Sequence, residues 1–268
     1  MPLSLLCLLC ILPRPIFAAD AQIRIASLNI ASRHDAEFLE AIRGDPDLRA
    51  ADILLLQEVV DSPRDHVASK IGSALGLEAI FARAFQRNRE YAEGLALLSR
   101  YPLLETDTIP LPRTNLHIGT TPRIALVATA DTPLGRIRVI NTHMDDRLND
   151  ASERRQLAPI WESAARFTGP FVIGGDFNTS NIWWVAHLFP VPGFQHQTTV
   201  LRKEMEKRGF TTPLGSGPAT FHLPVLKLRL DWIYLRDLQA VGSGVTPIRF
   251  SDHNSVWVEV RERTPRPQ

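Results

Sequence analysis

The chain reads as a mixed α/β fold, and three observations say so. Short apolar runs of strand length recur along it, each ending in polar residues. Between them lie longer stretches whose apolar residues repeat at helical spacing. A hairpin signal, Thr132-Pro133-Leu134-Gly135, adds antiparallel pairing to the strand–helix alternation.

In chain order, Ile23-Arg24-Ile25-Ala26-Ser27-Leu28-Asn29 alternates as a strand and presents an asparagine. Residues 35–43 have helical spacing, and Ile53-Leu54-Leu55-Leu56 is a strand that delivers Gln57-Glu58. Residues 65–75 predict an amphipathic helix, with Val67, Ile71, Ala74 and Leu75 on one face. A strand over 94–98 closes at Ser99-Arg100-Tyr101-Pro102. Residues 124–130 pair with 137–140 across the hairpin signal, and the second strand delivers Asn141-Thr142-His143. A helix over 152–167 stops at Gly169-Pro170. Phe171-Val172-Ile173 then leads into Gly174-Gly175-Asp176-Phe177-Asn178. Residues 202–208 mix both charge signs, as a solvated helix face does. Asp231 stands at the mouth of a strand, and Ser251-Asp252-His253 precedes the last one, Val256-Trp257-Val258.

Length and composition bound the answer. With 268 residues, 44% of them hydrophobic, the chain can bury a sizeable core. Two-sheet folds often use such a length for one domain, here expected over residues 22–260. A net charge of +1 exerts no global pull on nucleic acid. No uninterrupted apolar stretch reaches the roughly 18 residues of a membrane span. The Pro/Arg-rich residues 261–268 read as a disordered tail.

The N-terminus differs in kind. Residues 3–12 form an apolar run followed by Pro13, Pro15 and the small cluster Ala18-Ala19-Asp20-Ala21. That pattern predicts a signal peptide over residues 1–21 and a periplasmic or secreted protein, although no Lys or Arg precedes the run. An apolar N-terminal helix is the alternative. Both cysteines, Cys7 and Cys10, fall inside this segment, so the mature protein is expected to carry no thiol.

The chemistry lies at the strand ends. Six of them deliver Asn29, Glu58, His143, the Asp176/Asn178 pair, Asp231 and Asp252-His253. Carboxylates and imidazoles gathered this way supply ligands for a hard cation, a general base and donors for developing negative charge. The ordered tracts Ser-Leu-Asn, Gln-Glu-Val, Asn-Thr-His, Gly-Asp-Phe-Asn, Leu-Asp-Trp-Ile and Ser-Asp-His resemble those of the endonuclease/exonuclease/phosphatase superfamily. That group holds pancreatic-type deoxyribonucleases, abasic-site endonucleases, bacterial sphingomyelinases and inositol-polyphosphate phosphatases. The resemblance covers residues 22–260 and implies a four-layer α/β sandwich: two face-packed mixed sheets flanked by helices, with the site at one edge.

It also implies roles. Asn29, Glu58 and Asp252 match metal-side positions for Mg²⁺ or Mn²⁺, with Asn29 as supporting ligand or phosphate donor. Asp176 and Asn178 match the acid and amide that orient the attacking water and bind a phosphate oxygen. His253 matches the imidazole that handles the water or the phosphoryl oxygen, oriented by Asp231. His143 sits where deoxyribonucleases and sphingomyelinases carry a histidine and abasic-site endonucleases do not. Glu93 resembles the acid that partners this histidine, and Arg123 a phosphate-contacting arginine. Each also has a plainer reading: a turn asparagine, a loop acid, a solvated arginine. Trp183 and Trp184 read as core plugs first and as a base- or lipid-contacting surface second.

The expected activity is metal-dependent phosphoester hydrolysis by a monomer. Its substrate is nucleic acid, a phospholipid or a small phosphodiester. An exported sphingomyelinase-like or inositol-phosphate phosphoesterase is the nearest alternative, and a catalytically silent binding module of the same fold is the other.

Overall fold

The computed structural model describes residues 21–113, 120–146, 148–179, 182–185, 189–192, 196–215, 217–223 and 226–263. The expected signal segment, with both cysteines, lies outside the described residues apart from Ala21, and so do residues 264–268 of the expected tail.

The elements run β1 (Ile23–Asn29), α1 (Ala36–Gly44), α2 (Pro46–Arg49), β2 (Ile53–Asp61), α3 (Val67–Leu75), β3 (Glu78–Gln86), β4 (Ala92–Ser99) and β5 (Leu103–Pro110). They continue with β6 (Ile124–Thr132), β7 (Gly135–His143), α4 (Asp150–Ala165), β8 (Phe171–Asp176), β9 (Ile182–Val185), β10 (Phe189–Pro192) and α5 (His196–Glu206). Last come β11 (Phe221–Leu223), β12 (Leu226–Leu228), β13 (Asp231–Arg236), β14 (Leu238–Thr246) and β15 (Ser255–Glu262). Six strands form one sheet in the order β14-β15-β1-β2-β4-β3, and five form the other, β13-β8-β7-β6-β5. Each sheet holds one parallel pair, β1 with β2 and β7 with β8.

Alternation along the strands explains the layers. In β2, Ile53 and Leu55 enter the core shared by the two sheets, while Leu54 and Leu56 enter a second core beneath α1 and α3. A strand covered on both faces needs no polar residue, which is why this run is continuously apolar. On the far face of the five-stranded sheet, α4 and α5 supply Ile160, Trp161, Leu201 and Met205. Helices, sheet, sheet and helices make the four layers, as the tract resemblance implied. Cutting a buried leucine such as Leu55 to alanine in such a core costs about 2–5 kcal/mol.

Local chemistry moves several boundaries from where the sequence put them. The helix expected from residue 65 begins at Val67, because Asp65 is tied into a turn by its backbone bonds to Ser62. The one expected from residue 152 begins at Asp150, since the Asn149 side chain caps it by accepting from Ser152 N. Arg261 and Glu262 belong to β15, paired with Gln239 and Leu238, so the expected tail starts later than residue 261. Trp183 and Trp184 lie in β9 against Val191 and Pro190 of β10; their side chains lie outside what is described.

Candidate active site

Register alone assembles half of the site. His143 at the end of β7 is paired with Asp176 at the end of β8, and Asp176 in turn with Asp231 at the start of β13. Three of the expected residues therefore stand in one row across the five-stranded sheet. From the other sheet, Asn29 ends β1 opposite Gln57 of β2, with Glu58 next in line. His253 precedes β15 and bridges Phe221.

Two backbone devices aim these groups. The ladder between β2 and β4 slips between Leu56 and Val59, and Glu58 takes φ +54, a left-handed value that an unbranched acid tolerates only where its surroundings enforce it. The bulge leaves the carbonyls of Leu56 and Ala96 to accept from Asn141 Nδ2 at 2.9 and 2.8 Å, while Asn141 Oδ1 accepts from Gln57 Nε2 at 2.7 Å. These bonds stitch the two sheets together just behind the site. Gly175, at φ +138, is the second device: a Cβ there would lie 1.9 Å from the Thr142 carbonyl oxygen. Only glycine lets β7 and β8 approach closely enough to put His143 beside Asp176.

At the centre, His253 Nδ1 lies 2.9 Å from Asp231 Oδ2, and its Nε2 lies 3.7 Å from Asp176 Oδ2. His143 Nε2 is 3.6 Å from the same Asp176 oxygen. All four groups are buried. Burial alone would lower the His253 pKa, but the Asp231 and Asp176 carboxylates outweigh it and raise the imidazole to about 10. Burial, with Asp231 adding to it, pushes Asp176 up to about 6. His143 goes the other way: burial first, then the charges of Arg123 and His253, hold it well below the usual histidine range. One imidazole is thus cationic and the other neutral, on either side of one carboxylate.

Asn29 Nδ2 donates to Glu58 Oε1 at 3.0 Å and to Asp176 Oδ2 at 3.1 Å, while its Oδ1 accepts from Ala31 N. Turning the amide round would set its N–H groups against that of Ala31, so Asn29 faces the acids as a donor rather than as an oxygen ligand. Asn178, at φ +51, closes an Asx turn with its N–H on Asp176 Oδ1 at 2.9 Å, and its side chain donates to the Met144 carbonyl at 2.8 Å.

One expectation changes, and two other residues take surroundings the sequence did not give. Glu93 does not bond to His143; Arg87 donates to it, and Ser32 Oγ, with one hydrogen to give, lies 3.4 Å from both Glu93 Oε2 and Glu58 Oε2. Arg123 takes the place beside His143, its Nη1 2.9 and 3.1 Å from the two ring nitrogens and its Nε 3.2 Å from Asp145 Oδ1. Asp145 is fixed in turn by Gln156 Nε2 at 2.7 Å. Asp252 is exposed and stands outside the buried cluster, because it is the neighbouring His253 that the turn at Ser251 points inward. Ser32, Arg87 and Asp145 carried no strand-end signal: each comes from a loop whose path the local sequence does not set.

The donor set suits a hard cation. Ligand-type atoms of Asp176, Asp231 and His253 lie within 4.8 Å of one another, and Glu58 adds a half-buried carboxylate tied to the same amide; with His253 cationic, only the acids have lone pairs to offer. Carboxyl oxygens dominate and no thiolate is present among them, as Mg²⁺- and Mn²⁺-type ions prefer. The raised Asp176 carboxyl marks a place where another positive charge would be stabilised.

Known proteins agree with this architecture. In sequence, the chain is 25% identical over 248 residues to a UPF0294 protein of Klebsiella pneumoniae, covering 90% of this chain and 83% of that one. Its fold is similar to an endonuclease/exonuclease/phosphatase of Beutenbergia cavernae, at 19% identity and TM-score 0.71 over 90% of this chain and 72% of that one. It is likewise similar to the human Nocturnin catalytic domain with bound sulfate, at 18% identity and TM-score 0.67 over 90% and 94%. The model of the endonuclease/exonuclease/phosphatase family matches residues 26–253, which takes in every strand end described above. The chain belongs to the endonuclease/exonuclease/phosphatase family.

Proposed function

We propose that the chain hydrolyses phosphodiesters with the help of Mg²⁺ or Mn²⁺. The observation that supports this most is the row His143–Asp176–Asp231 closed by His253, in which one carboxylate stands between a neutral and a charged imidazole. Glu58, tied to Asn29, is the group that would hold the cation. When bound, it would draw charge from the phosphoryl oxygens.

The residues divide the remaining work. Asp176, with a carboxyl that ionises near neutrality, takes the proton of the attacking water. His253, kept cationic and in one tautomer by Asp231, donates from Nε2 to a phosphoryl oxygen as negative charge builds. His143 stays neutral beneath the Arg123 guanidinium, so it serves as a positioned hydrogen-bonding group rather than as a proton donor. Arg123 brings a fixed positive fork to the same side.

A screen against bis-p-nitrophenyl phosphate, plasmid DNA, sphingomyelin and inositol phosphates, with Mg²⁺, Mn²⁺, Zn²⁺ or EDTA, tests this reading. Diester turnover that disappears in EDTA and returns with Mg²⁺ or Mn²⁺ is expected. Full activity in excess EDTA would refute the metal requirement, and a preference for Zn²⁺ would shift the primary ligands to the histidines.

A further inference from the structure

One buried amide ties together the surroundings of Arg123. Gln156 lies in the second turn of α4 and is 1% exposed. Its Oε1 accepts from Asp145 N at 3.0 Å, and its Nε2 donates to Asp145 Oδ2 at 2.7 Å. The same Nε2 donates to the Pro112 carbonyl at 3.3 Å. Pro112 follows Leu111, whose N–H donates to the Arg123 carbonyl at 2.9 Å. One side chain therefore holds Asp145, between β7 and α4, and Pro112, just after β5. Arg123 touches both places, through Asp145 and through Leu111.

The chemistry of the amide sets its orientation. Asp145 presents a backbone N–H that needs an acceptor and a carboxylate that needs a donor, and a glutamine offers both from one group. Turning the amide round would set N–H against N–H and oxygen against oxygen. With Oδ2 held by Gln156, Asp145 turns Oδ1 to Arg123 Nε at 3.2 Å. The carboxylate is 3% and the guanidinium 16% exposed, so water screens this pair little. Arg123 Nη1 then stands 2.9 Å from His143 Nδ1. Gln156, Asp145, Arg123 and His143 thus form a line from the helix to the catalytic row. An arginine side chain carries about 2 kcal/mol of rotamer entropy, so it keeps one pose only where something tethers it.

We propose that Gln156 is a positioning residue: through Asp145 it sets where the Arg123 guanidinium stands beside His143. Buried behind Asp145, it meets no substrate itself. Its use in turnover rests on the phosphodiesterase reading above, in which the Arg123 fork faces the substrate phosphate; the placement of the guanidinium does not rest on it. A group one ångström out of place can cost about 10²-fold in rate, so a tether this far from the phosphate still counts. A glutamine that only filled the core would steady the fold without steering the arginine.

Gln156→Met tests the proposal with one readout that needs no substrate and one that does. In the ¹⁵N-labelled protein the Arg123 Nε–H, assigned by its loss in Arg123→Lys, should give a resolved peak that exchanges slowly with water. In Gln156→Met this peak is expected to move toward those of solvent-exposed arginines and to exchange faster. The kcat on bis-p-nitrophenyl phosphate should fall about tenfold or more. Adding Gln156→Met to Arg123→Met should cost nothing further, because the glutamine acts through the arginine. An Arg123 peak that stays still in folded Gln156→Met overturns the proposal, and so do losses that multiply in the double variant. Should Gln156→Met fail to fold, Gln156→Glu keeps the volume and the acceptor while its carboxylate repels Asp145, and the same shift is expected. A wild type that turns over no diester refutes the phosphodiesterase reading, and the Arg123 peak still decides the placement.

Discussion

Asn29 Nδ2 reaches 3.1 Å across the interface between the two sheets to Asp176 Oδ2. The same nitrogen donates to Glu58 at 3.0 Å, so one neutral amide separates two acids that would otherwise face each other. Asn29→Ala is expected to lower kcat by about 10- to 10²-fold, the loss of a hydrogen bond to a charged group. Asn29→Asp should do worse, because it adds a third carboxylate. Steady-state kinetics on a chromogenic diester checks this; an unchanged kcat in folded Asn29→Ala would mean that the amide does not hold the acids for catalysis.

His253 and Asp231 should behave as one device, since a 2.9 Å bond joins them although 22 residues separate them. His253→Ala is expected to lose at least ~10²-fold in kcat, and Asp231→Asn rather less. The double variant should be hardly worse than His253→Ala alone, because parts of one unit do not add. Multiplying losses, with circular dichroism unchanged, would show that the two act independently.

Gly175 and Gly135 both have positive φ, but only Gly175 is crowded. Alanine at 135 meets open space and should cost roughly 1 kcal/mol of strain. At position 175 strain and overlap with Thr142 combine, on the order of 3 kcal/mol or more. At ~2–4 °C per kcal/mol for a chain of this size, thermal melts should separate the two variants clearly. Equal melting temperatures would contradict the close approach of β7 and β8.

Glu153, in the first turn of α4, is buried, neither carboxyl oxygen is hydrogen-bonded among the described residues, and burial together with Asp150 raises it to about 8. A carboxyl raised in the folded state contributes no penalty below its unfolded pKa, near 4.5. Stability then falls as pH climbs toward 8, by a few kcal/mol at ~1.4 kcal/mol per unit. Glu153→Gln should melt higher than the wild type at pH 8 and nearly match it at pH 4.5. A difference between the two that does not change with pH would show that Glu153 ionises freely.

Much of the site was legible because strands deliver residues in a fixed way. Ile53 to Leu56, Phe171 to Ile173 and their counterparts are apolar, β-rich and short, and the polar residue after each is where the sheet opens to water. Less legible were the strands whose stability comes from neighbours. The edge strand β5 is largely exposed, and β14 carries Gly242 and Gly244 under the Trp257 ring, so neither shows a clean apolar pattern. Loop contributions escaped for a related reason. Arg87 reaches Glu93 across the turn that joins β3 to β4, and β3 shows no clean strand pattern. Arg123 was expected at a phosphate, and spacing could not say that its long side chain would meet His143 and Asp145.

The site draws Asn29 and Glu58 from one sheet and His143, Asp176 and Asp231 from the other, with the Asn141–Gln57 bond as the seam. Neither sheet contains a working half. A loosened state that kept its strands but let the two layers slide would retain its far-ultraviolet dichroism and lose hydrolysis entirely. Turnover therefore gauges how firmly the layers are locked, and it should vanish ahead of secondary structure when the protein is titrated with denaturant.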